Sequence, residues 1–240
     1  MKRKLPVDLV AISTNKVIET LKAIQYSVRE IEFNNVYFFT NEDIDTNFNI
    51  IKIPKFSDII DFNNFTLDLN NYVVSEFALL IQHDGHIVNP SQWKDEFLNY
   101  DYIGAPWPSD NKWNNRWRSY PEEMASTIIS NLSLNRVGNG GFSLRSKKFL
   151  EYASGFKRDF KENGVPEDIF LNVYNYKLAK DFGIKYPPVS TALDFSCETP
   201  LRKLDYSKVK KYHFFNQNNH FGWHGNKFLN SKKILNLKFN

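Results

Sequence analysis

The 240-residue sequence predicts an α/β fold in which a mostly parallel sheet is flanked by helices within a single domain, residues 1–240. Strand-like apolar runs alternate with segments of helical spacing, and residues 78–81 are four consecutive apolar residues. Such a run is typical of a parallel-sheet strand that is buried on both faces. Hydrophobic residues make up 42% of the chain and charged residues 24%, which is a globular balance.

The first half of the chain contains three further strand-like segments and a helix. Residues 7–13 form an apolar strand, residues 17–28 carry apolar side chains at helical spacing, and residues 36–40 form a second strand. Strand, helix and strand in such close succession predict parallel strands that are joined by a right-handed crossover. Residues 50–53 form a short strand that Pro54 ends.

The second half continues this alternation around a long irregular segment. Residues 92–100 favour a short helix and residues 102–104 a strand. Residues 109–136 show little periodicity, and loops of this length in compact domains are commonly lids or binding loops. A strand at residues 142–145 then leads into a helix at residues 147–153.

Charge and cysteine content exclude several classes of protein. A net charge of +4 with dispersed lysines does not predict nucleic-acid binding. The one cysteine, Cys197, excludes an internal disulfide framework and fits a reducing compartment. The basic start runs into Pro6 without a signal-type apolar region, and no apolar stretch approaches the ~18 residues of a membrane span. We therefore expect a cytoplasmic protein.

The closing segment, residues 226–240, interleaves lysines with apolar side chains. Two interpretations of this segment remain open. It can form a helix whose apolar face docks on the core, or it can lie on an anionic membrane surface, which would make the protein peripheral at the inner face of the membrane.

The polar residues that follow the buried strand are the first candidate site. Gln82, His83, Asp84, Gly85 and His86 stand where this strand ends, and open α/β folds bind ligands at that edge of the sheet. A carboxylate between two imidazoles can hold a divalent metal or a phosphorylated ligand. The alternative is an ordinary Asp-Gly turn whose histidines lie in solvent.

A glycine-rich stretch at residues 137–146 is the second candidate site. Three glycines surround Asn139 and allow the backbone to approach a ligand closely. Neither the dinucleotide-binding pattern GxGxxG nor the P-loop pattern is present, which disfavours a Rossmann-type cofactor. The stretch suits a backbone-lined platform for a sugar ring, with Asn139 bonding to sugar hydroxyls.

A pair of acids at a helix start is the third candidate site. Pro166, Glu167 and Asp168 have the order expected of a first helical turn. The helix macrodipole stabilises carboxylates there by ~0.3–1 kcal/mol each, so a purely structural explanation is available. The functional alternative is that one acid removes a proton from a hydroxyl group.

The same three stretches carry a family resemblance. The segments QHDGHIVNP and DYIGAPW within residues 76–107, VGNGGFSLR at residues 137–145 and PEDIF at residues 166–170 resemble a domain-of-unknown-function family grouped with GT-A glycosyltransferases. The resemblance covers most of the chain. It implies a Rossmann-like GT-A sheet with a nucleotide-sugar across the carboxyl ends of its strands. It also implies an Asp-x-Asp metal motif, of which this sequence retains only Asp84.

The resemblance also implies roles for the metal ligands and the acids. Mn²⁺ or Mg²⁺ would be held by Asp84 and by a histidine near the C-terminus. His224 is preferred for this role over His220 and His213, because Gly225 follows it. The acid pair would supply the catalytic base, which is Asp168 or Glu167.

The remaining candidates would contact the two substrates. The donor would contact Ser13, Thr14, Asn41, Gln82, His83, Gly140 and Gly141. The acceptor would contact Asn139, Trp107, Trp113 and Trp117. The tryptophans could stack on sugar faces, although a buried core role is the more frequent one for any single tryptophan.

We therefore predict an inverting glycosyltransferase. It would move a sugar from a nucleotide-diphosphate sugar, preferably a UDP-sugar, to a hydroxyl of a glycan or lipid-linked glycan in surface glycan or polysaccharide synthesis. Two alternatives remain open. One is a non-catalytic carbohydrate- or nucleotide-binding module, which the missing first acid of the metal motif favours. The other is a metal-dependent phosphoesterase that uses the His/Asp cluster.

Overall fold

A six-stranded sheet is the centre of the computed structural model, which describes residues 2–107, 120–156, 165–198 and 219–225. In chain order the strands are β1 (Arg3–Ile12), β2 (Ile31–Thr40), β3 (Asn49–Lys52), β4 (Phe77–Ile81), β5 (Gly85–Ile87), β6 (Tyr102–Gly104), β7 (Phe142–Ser146), β8 (Ser196–Cys197) and β9 (Gly222–His224). The helices are α1 (Val17–Ser27), α2 (Ile59–Leu67), α3 (Glu122–Leu132), α4 (Lys147–Ser154), α5 (Glu167–Ile169), α6 (Tyr176–Asp181) and α7 (Val189–Phe195).

The first four strands of the central sheet run parallel. β1 pairs with β2 on one side and with β4 on the other, and β3 pairs with β2. β7 runs antiparallel to both of its neighbours, β4 and β6, so the order is β3-β2-β1-β4-β7-β6. The prediction of a mostly parallel α/β sheet is confirmed. Because β7 is reversed, the loop that precedes it, residues 138–141, lies at the edge where β1, β4 and β6 end.

Both faces of the sheet are covered by a hydrophobic core. Leu9 and Ala11 of β1 pack in a cluster that includes Ile24 of α1. The alternate side chains of β1 point to the other face, where Val10 packs in a cluster with Leu150 of α4. Burial on both faces explains why the end of β1 is a continuous apolar run instead of an alternating pattern.

The segment at residues 92–100, predicted as one helix, is instead two short 3₁₀ turns, Pro90–Gln92 and Asp95–Asn99. Between these turns the backbone of Lys94 is extended, while the ring of Trp93 packs edge-on against Phe97 at a centroid distance of 5.6 Å. Burial of both rings therefore determines the path of this segment, and it overrides the local preference for a helix.

A second, small sheet lies beyond the end of β4. β9 pairs antiparallel with β5 and parallel with β8, so that Gly85 faces His224 and Cys197 faces Trp223. The sequence did not predict this sheet, because its strands are two or three residues long and come from distant parts of the chain. Its consequence is that residues 196–198 and 222–225 meet the turn after β4.

The described helices are at most 11 residues long, and none of them is long and apolar enough to cross a bilayer. Several predicted features lie outside the described residues. These are the closing segment 226–240, Trp113, Trp117 and His213.

Candidate functional site

A cavity of about 310 Å³ opens at the carboxyl end of β1. Its walls are the turn after β1, the start of α2 and the turn after β4. They include four of the predicted donor-binding residues, Ser13, Thr14, Gln82 and His83. The other lining side chains are Ile12, Asn15, Thr20, Phe56, Ser57, Asp58, Ile59 and Phe62.

Side-chain hydrogen bonds to the backbone hold the walls of this cavity. The Ser13 hydroxyl accepts from the backbone N–H of Lys16 at 3.0 Å, and the Thr14 hydroxyl accepts from the N–H of Phe56 at 3.1 Å. Among the residues that the structure describes, those lining the cavity include two phenylalanines and no lysine or arginine. This composition suits an aromatic, uncharged group such as a nucleoside better than a phosphate.

Asn41, also predicted to bind the donor, follows β2 and is not among the lining residues. Its backbone carbonyl accepts from the Lys52 ammonium at 3.2 Å. The structure therefore brings Asn41 to the correct edge of the sheet but not into the cavity.

Beside the cavity, the imidazole of His224 lies between two carboxylates. Its Nε2 is 3.4 Å from Asp84 Oδ1, and its Nδ1 is 3.4 Å from Glu198 Oε1. The three side chains are mostly buried, with exposures of 15%, 17% and 21% for His224, Asp84 and Glu198. The predicted pair of Asp84 and His224 is thus brought together. Within the described residues, no group of three or more acids, histidines and cysteines has a metal-binding arrangement.

The pKa values of Asp84 and His224 are shifted in opposite directions. Burial by itself would raise the pKa of Asp84, but the close approach and charge of His224, and the charge of His83, lower it to about 2. Burial would lower the pKa of His224, but Asp84 and Glu198 raise it to about 10. Both shifts favour a protonated His224 beside an ionised Asp84, so a metal that binds at Nε2 would displace a proton.

The glycine loop, residues 138–141, joins this cluster to the acids of α5. The N–H of Gly140 donates to Asp168 Oδ2 at 2.8 Å, and the carbonyl of Gly141 accepts from the N–H of Gln82 at 3.1 Å. A Cβ atom at Gly141 would collide with the His224 ring, so only glycine allows this approach. The loop therefore connects the candidate base with the candidate metal ligands.

The two acids of α5 have different environments. Glu167 forms a buried ion pair with Arg145 of β7, whose side chain is 1% exposed. Asp168 is half-buried, and its Oδ1 accepts from the N–H of Ile169 at 2.8 Å. Glu167 was predicted as an alternative base, and this role is wrong because Arg145 already holds its carboxylate in the core.

Asp168 has the protonation behaviour of a base that works near neutral pH. Burial raises the pKa of its carboxyl, the charge of Glu167 raises it further and the N–H of Gly140 lowers it, with a net result of about 7. The following turn, Phe170–Tyr174, is π-helical, and Asn172 within it donates to the Asp168 carbonyl at 2.9 Å. π-helical turns frequently occur at functional sites.

Two predicted acceptor-binding residues belong to the core. Trp107 is 3% exposed, and its ring lies directly against Gly138, so it cannot also stack on a sugar. Asn139 is 3% exposed, and its side-chain oxygen accepts from the N–H of Gly141 at 3.1 Å. Both predictions are wrong for the same reason: these buried side chains contact the glycine loop itself and support its conformation.

Two further residues complete the comparison with the sequence. His220, the alternate metal ligand, is buried with its Nδ1 at the Leu193 carbonyl, away from Asp84. Glu198 was not predicted, although it contacts His224 directly. Only the pairing of β8 with β9 brings it there, and no local pattern around Cys197 signals that pairing.

The model of a protein family of unknown function, DUF5672, matches residues 45–224. The chain belongs to the DUF5672 family. The matched range includes Asp84, the glycine loop, Asp168, Glu198 and His224. No curated protein matches this DUF5672 member in sequence.

Solved structures resemble the whole fold of this DUF5672 protein. An active-site mutant of LgtC matches with a TM-score of 0.51 and 11% identity, over 95% of this chain and 93% of that chain. A glycosyltransferase involved in the glycosylation of the major capsid of PBCV-1 matches with a TM-score of 0.47 and 12% identity, over 95% and 96%. Mouse xyloside xylosyltransferase 1 in its apo form matches with a TM-score of 0.48 and 11% identity, over 93% and 98%. The match to LgtC supports a GT-A-like fold for this chain.

Proposed function

We propose that this DUF5672 protein transfers a sugar from a nucleotide-diphosphate sugar, preferably a UDP-sugar, to a hydroxyl group of a glycan or lipid-linked glycan. One observation carries the proposal. The glycine loop joins Asp168 to the pair of Asp84 and His224, and Asp84 directly follows Gln82 and His83, which line the cavity. A base for the acceptor and a site for the diphosphate are thereby close together.

The cavity is proposed to take the nucleoside of the donor. Its phenylalanines can contact the base, and its hydroxyl groups can bond to the ribose. Gln82 and His83 line the cavity, and Asp84 follows them directly, so a diphosphate that leaves the cavity would pass toward Asp84 and His224. The sugar would then lie over Gly140 and Gly141.

A divalent Mn²⁺ or Mg²⁺ ion is proposed to bind between Asp84 and His224. Among the described residues, Asp84 Oδ1 is a buried atom without a hydrogen-bond partner of good geometry, and it lies 3.4 Å from His224 Nε2. Two ligand atoms at ~2.1 Å from a six-coordinate ion, at right angles, would be about 3 Å apart. The observed separation therefore suits two ligands of one ion. When bound, the ion would neutralise charge on the departing diphosphate.

Asp168 is proposed to act as the base of a single displacement. The acceptor oxygen forms a bond to the anomeric carbon while the bond between that carbon and the diphosphate oxygen breaks. The acceptor proton passes to Asp168, and the bonding electrons leave with the diphosphate. Attack opposite to the leaving group inverts the anomeric carbon.

A donor screen tests this proposal. The protein is incubated with Mn²⁺, simple glycan acceptors and a panel of nucleotide-sugars, and the release of nucleoside diphosphate is measured. We expect acceptor-dependent release that Asp168→Asn abolishes, together with a product whose anomeric configuration, read by NMR, is inverted. A thermal shift with a nucleotide-sugar but no release with any acceptor would instead identify a binding module. Retained configuration would refute the single displacement.

A further inference from the structure

The far side of the His224 ring is occupied by a residue to which the proposed mechanism gives no role. Glu198 Oε1 lies 3.4 Å from Nδ1, the ring nitrogen that faces away from Asp84. Histidines that bind metals generally donate their second ring N–H to a carboxylate or a carbonyl, which fixes the tautomer and the ring orientation. Glu198 is in the correct place for such a contact.

Glu198 reaches this place through the small sheet. It directly follows β8, and β8 pairs with β9, the strand that carries His224. The N–H of Gly225 donates to the Asp84 carbonyl at 2.9 Å, and a Cβ atom at Gly225 would lie 3.8 Å from Glu198 Cγ. Gly225 has a φ of +105°, a conformation that residues with a side chain rarely adopt, so this turn after β9 favours glycine.

The ring of His224 is also confined on a third side. Gly141 approaches it so closely that a Cβ atom there would overlap the imidazole. With Asp84 and Glu198 at its two nitrogens, the ring has little freedom to rotate. A carboxylate at Nδ1 leaves Nε2 as the nitrogen available to an ion.

We propose that Glu198 is a positioning residue that orients His224 for metal binding, by accepting the Nδ1–H and directing Nε2 toward Asp84. The inference rests on the proposed function, because it concerns the same ion. Correct orientation of His224 is especially important in this chain. Gln82 stands where the metal motif would have its first acid, so the His224 contact must supply a larger share of the affinity for the ion.

Metal binding tests the role of Glu198 independently of turnover. Mn²⁺ is titrated into the protein with UDP present, and free Mn²⁺ is followed by electron paramagnetic resonance. We expect Glu198→Ala to weaken Mn²⁺ binding by about 10- to 100-fold, the usual effect of removing an outer-shell partner. Glu198→Gln, whose amide oxygen can still accept from Nδ1–H, should lose less. Glu151→Ala on α4, an exposed acid, is the control and should bind Mn²⁺ like the parent.

The tautomer of His224 gives a second measurement that a merely structural residue would not change. In the Mg²⁺-loaded parent, ¹H–¹⁵N NMR should show the proton on Nδ1, and Glu198→Ala should show a mixture of tautomers. Melting temperatures identify variants that do not fold. If Glu198→Ala does not fold, the Mn²⁺ affinity and the tautomer of Glu198→Gln test the role of Glu198.

The possible failures can be told apart. Unchanged Mn²⁺ affinity and an unchanged tautomer in folded Glu198→Ala would overturn the role of Glu198 and leave the proposed transfer intact. Sugar transfer by a parent protein that binds no Mn²⁺ would also overturn it, because His224 would then have no ion to bind. Absence of both transfer and nucleotide binding in the parent would overturn the proposed function itself.

Discussion

Arg145 and Glu167 form an ion pair beneath the glycine loop, and their side chains are only 1% and 5% exposed. The guanidinium also donates from Nε to the Ser143 hydroxyl at 3.0 Å, and it lies 5.4 Å from the centre of the Tyr102 ring. The pair connects β7 to the start of α5. It thereby holds Asp168, the next residue, against the N–H of Gly140.

Removal of the Glu167 charge should mainly lower the free energy of unfolding. Glu167→Gln leaves the Arg145 cation buried without its counter-charge, and breaking such a pair typically costs about 3–5 kcal/mol. We expect a loss of this order in the free energy of unfolding, measured by urea denaturation. The double variant Arg145→Met, Glu167→Leu buries no charge and should be more stable than Glu167→Gln. A Glu167→Gln protein as stable as the parent would contradict the structural role of the pair.

Asp168 should control the pH dependence of turnover. A base must be ionised, and the pKa of Asp168 is raised to about 7 by burial and by Glu167. We therefore expect kcat/KM to rise with pH and to level off above about pH 7. On the plateau above about pH 7, Asp168→Asn should lower kcat by roughly 10²- to 10⁴-fold and leave nucleotide affinity nearly unchanged. A pH profile that persists in the variant would assign the base elsewhere.

The Asp168 carboxyl should favour stability at low pH, whereas it favours turnover at high pH. Between its unfolded pKa of ~3.9 and its raised folded pKa, the folded protein binds the Asp168 proton more tightly than the unfolded chain does. This contribution is complete below pH ~4 and is lost as the pH rises to about 7. Asp168→Asn should therefore unfold with a flatter pH dependence over this range. A difference between the two proteins that stays constant from pH 4 to 7 would argue against a raised pKa.

The two adjacent glycines of the loop should differ when each is replaced by alanine. A Cβ at Gly141 would overlap the His224 ring and displace this proposed metal ligand. A Cβ at Gly140 would lie 3.0 Å from the Cβ of Asp168, which requires a shift of only a few tenths of an ångström. We expect Gly141→Ala to impair Mn²⁺ binding, and Gly140→Ala to preserve it while lowering kcat by up to about 10²-fold. Equal Mn²⁺ affinities in the two variants would contradict the packing of His224 on Gly141.

Asp8 should matter for stability and not for activity. It is fully buried on β1, where its carboxylate accepts from the Asn35 amide, the Ser75 hydroxyl and the N–H groups of Val74 and Ser75. Asp8→Ala should cost about 3 kcal/mol or more, because several donors lose a charged acceptor. The exposed acid Asp43, 99% accessible, is the control, and its removal should cost less than ~1 kcal/mol. Reduced nucleotide affinity in a folded Asp8→Ala protein would be unexpected.

Much of the fold could be predicted because its strands have strong local signals. The apolar runs at β1 and β4 and the helical spacing at α1 come from residues that are adjacent in sequence, and burial on both faces of the sheet leaves few other arrangements. The direction of β7 and the small sheet could not be predicted. They depend on pairing between distant segments of only two to five residues, which no local periodicity reveals.

Within the candidate site, the sequence indicated residues at the ends of strands and the starts of helices. It did not indicate the location of residues that depends on tertiary packing. Asp84 and Asp168 stand out because a polar residue interrupts an apolar pattern at an element boundary. The presence of a tryptophan at position 107 does not reveal whether its ring binds a ligand or packs in the core. The structure shows that the ring is buried against Gly138. Glu198 is reached only through the tertiary contact between β8 and β9.

The reversed strand β7 has a consequence for synthesis of the chain. β6 precedes β7 in sequence but lies outside it in the sheet, so β6 has no strand to join until β7 has paired with β4. A ribosome that adds about 5–20 residues per second therefore leaves the apolar edge of β4 unpaired for seconds after Ile81 is made. Unpaired edges of this kind are templates for aggregation. The topology that brings the glycine loop to the carboxyl edge of β4 thus also exposes that strand to aggregation while the chain is being made.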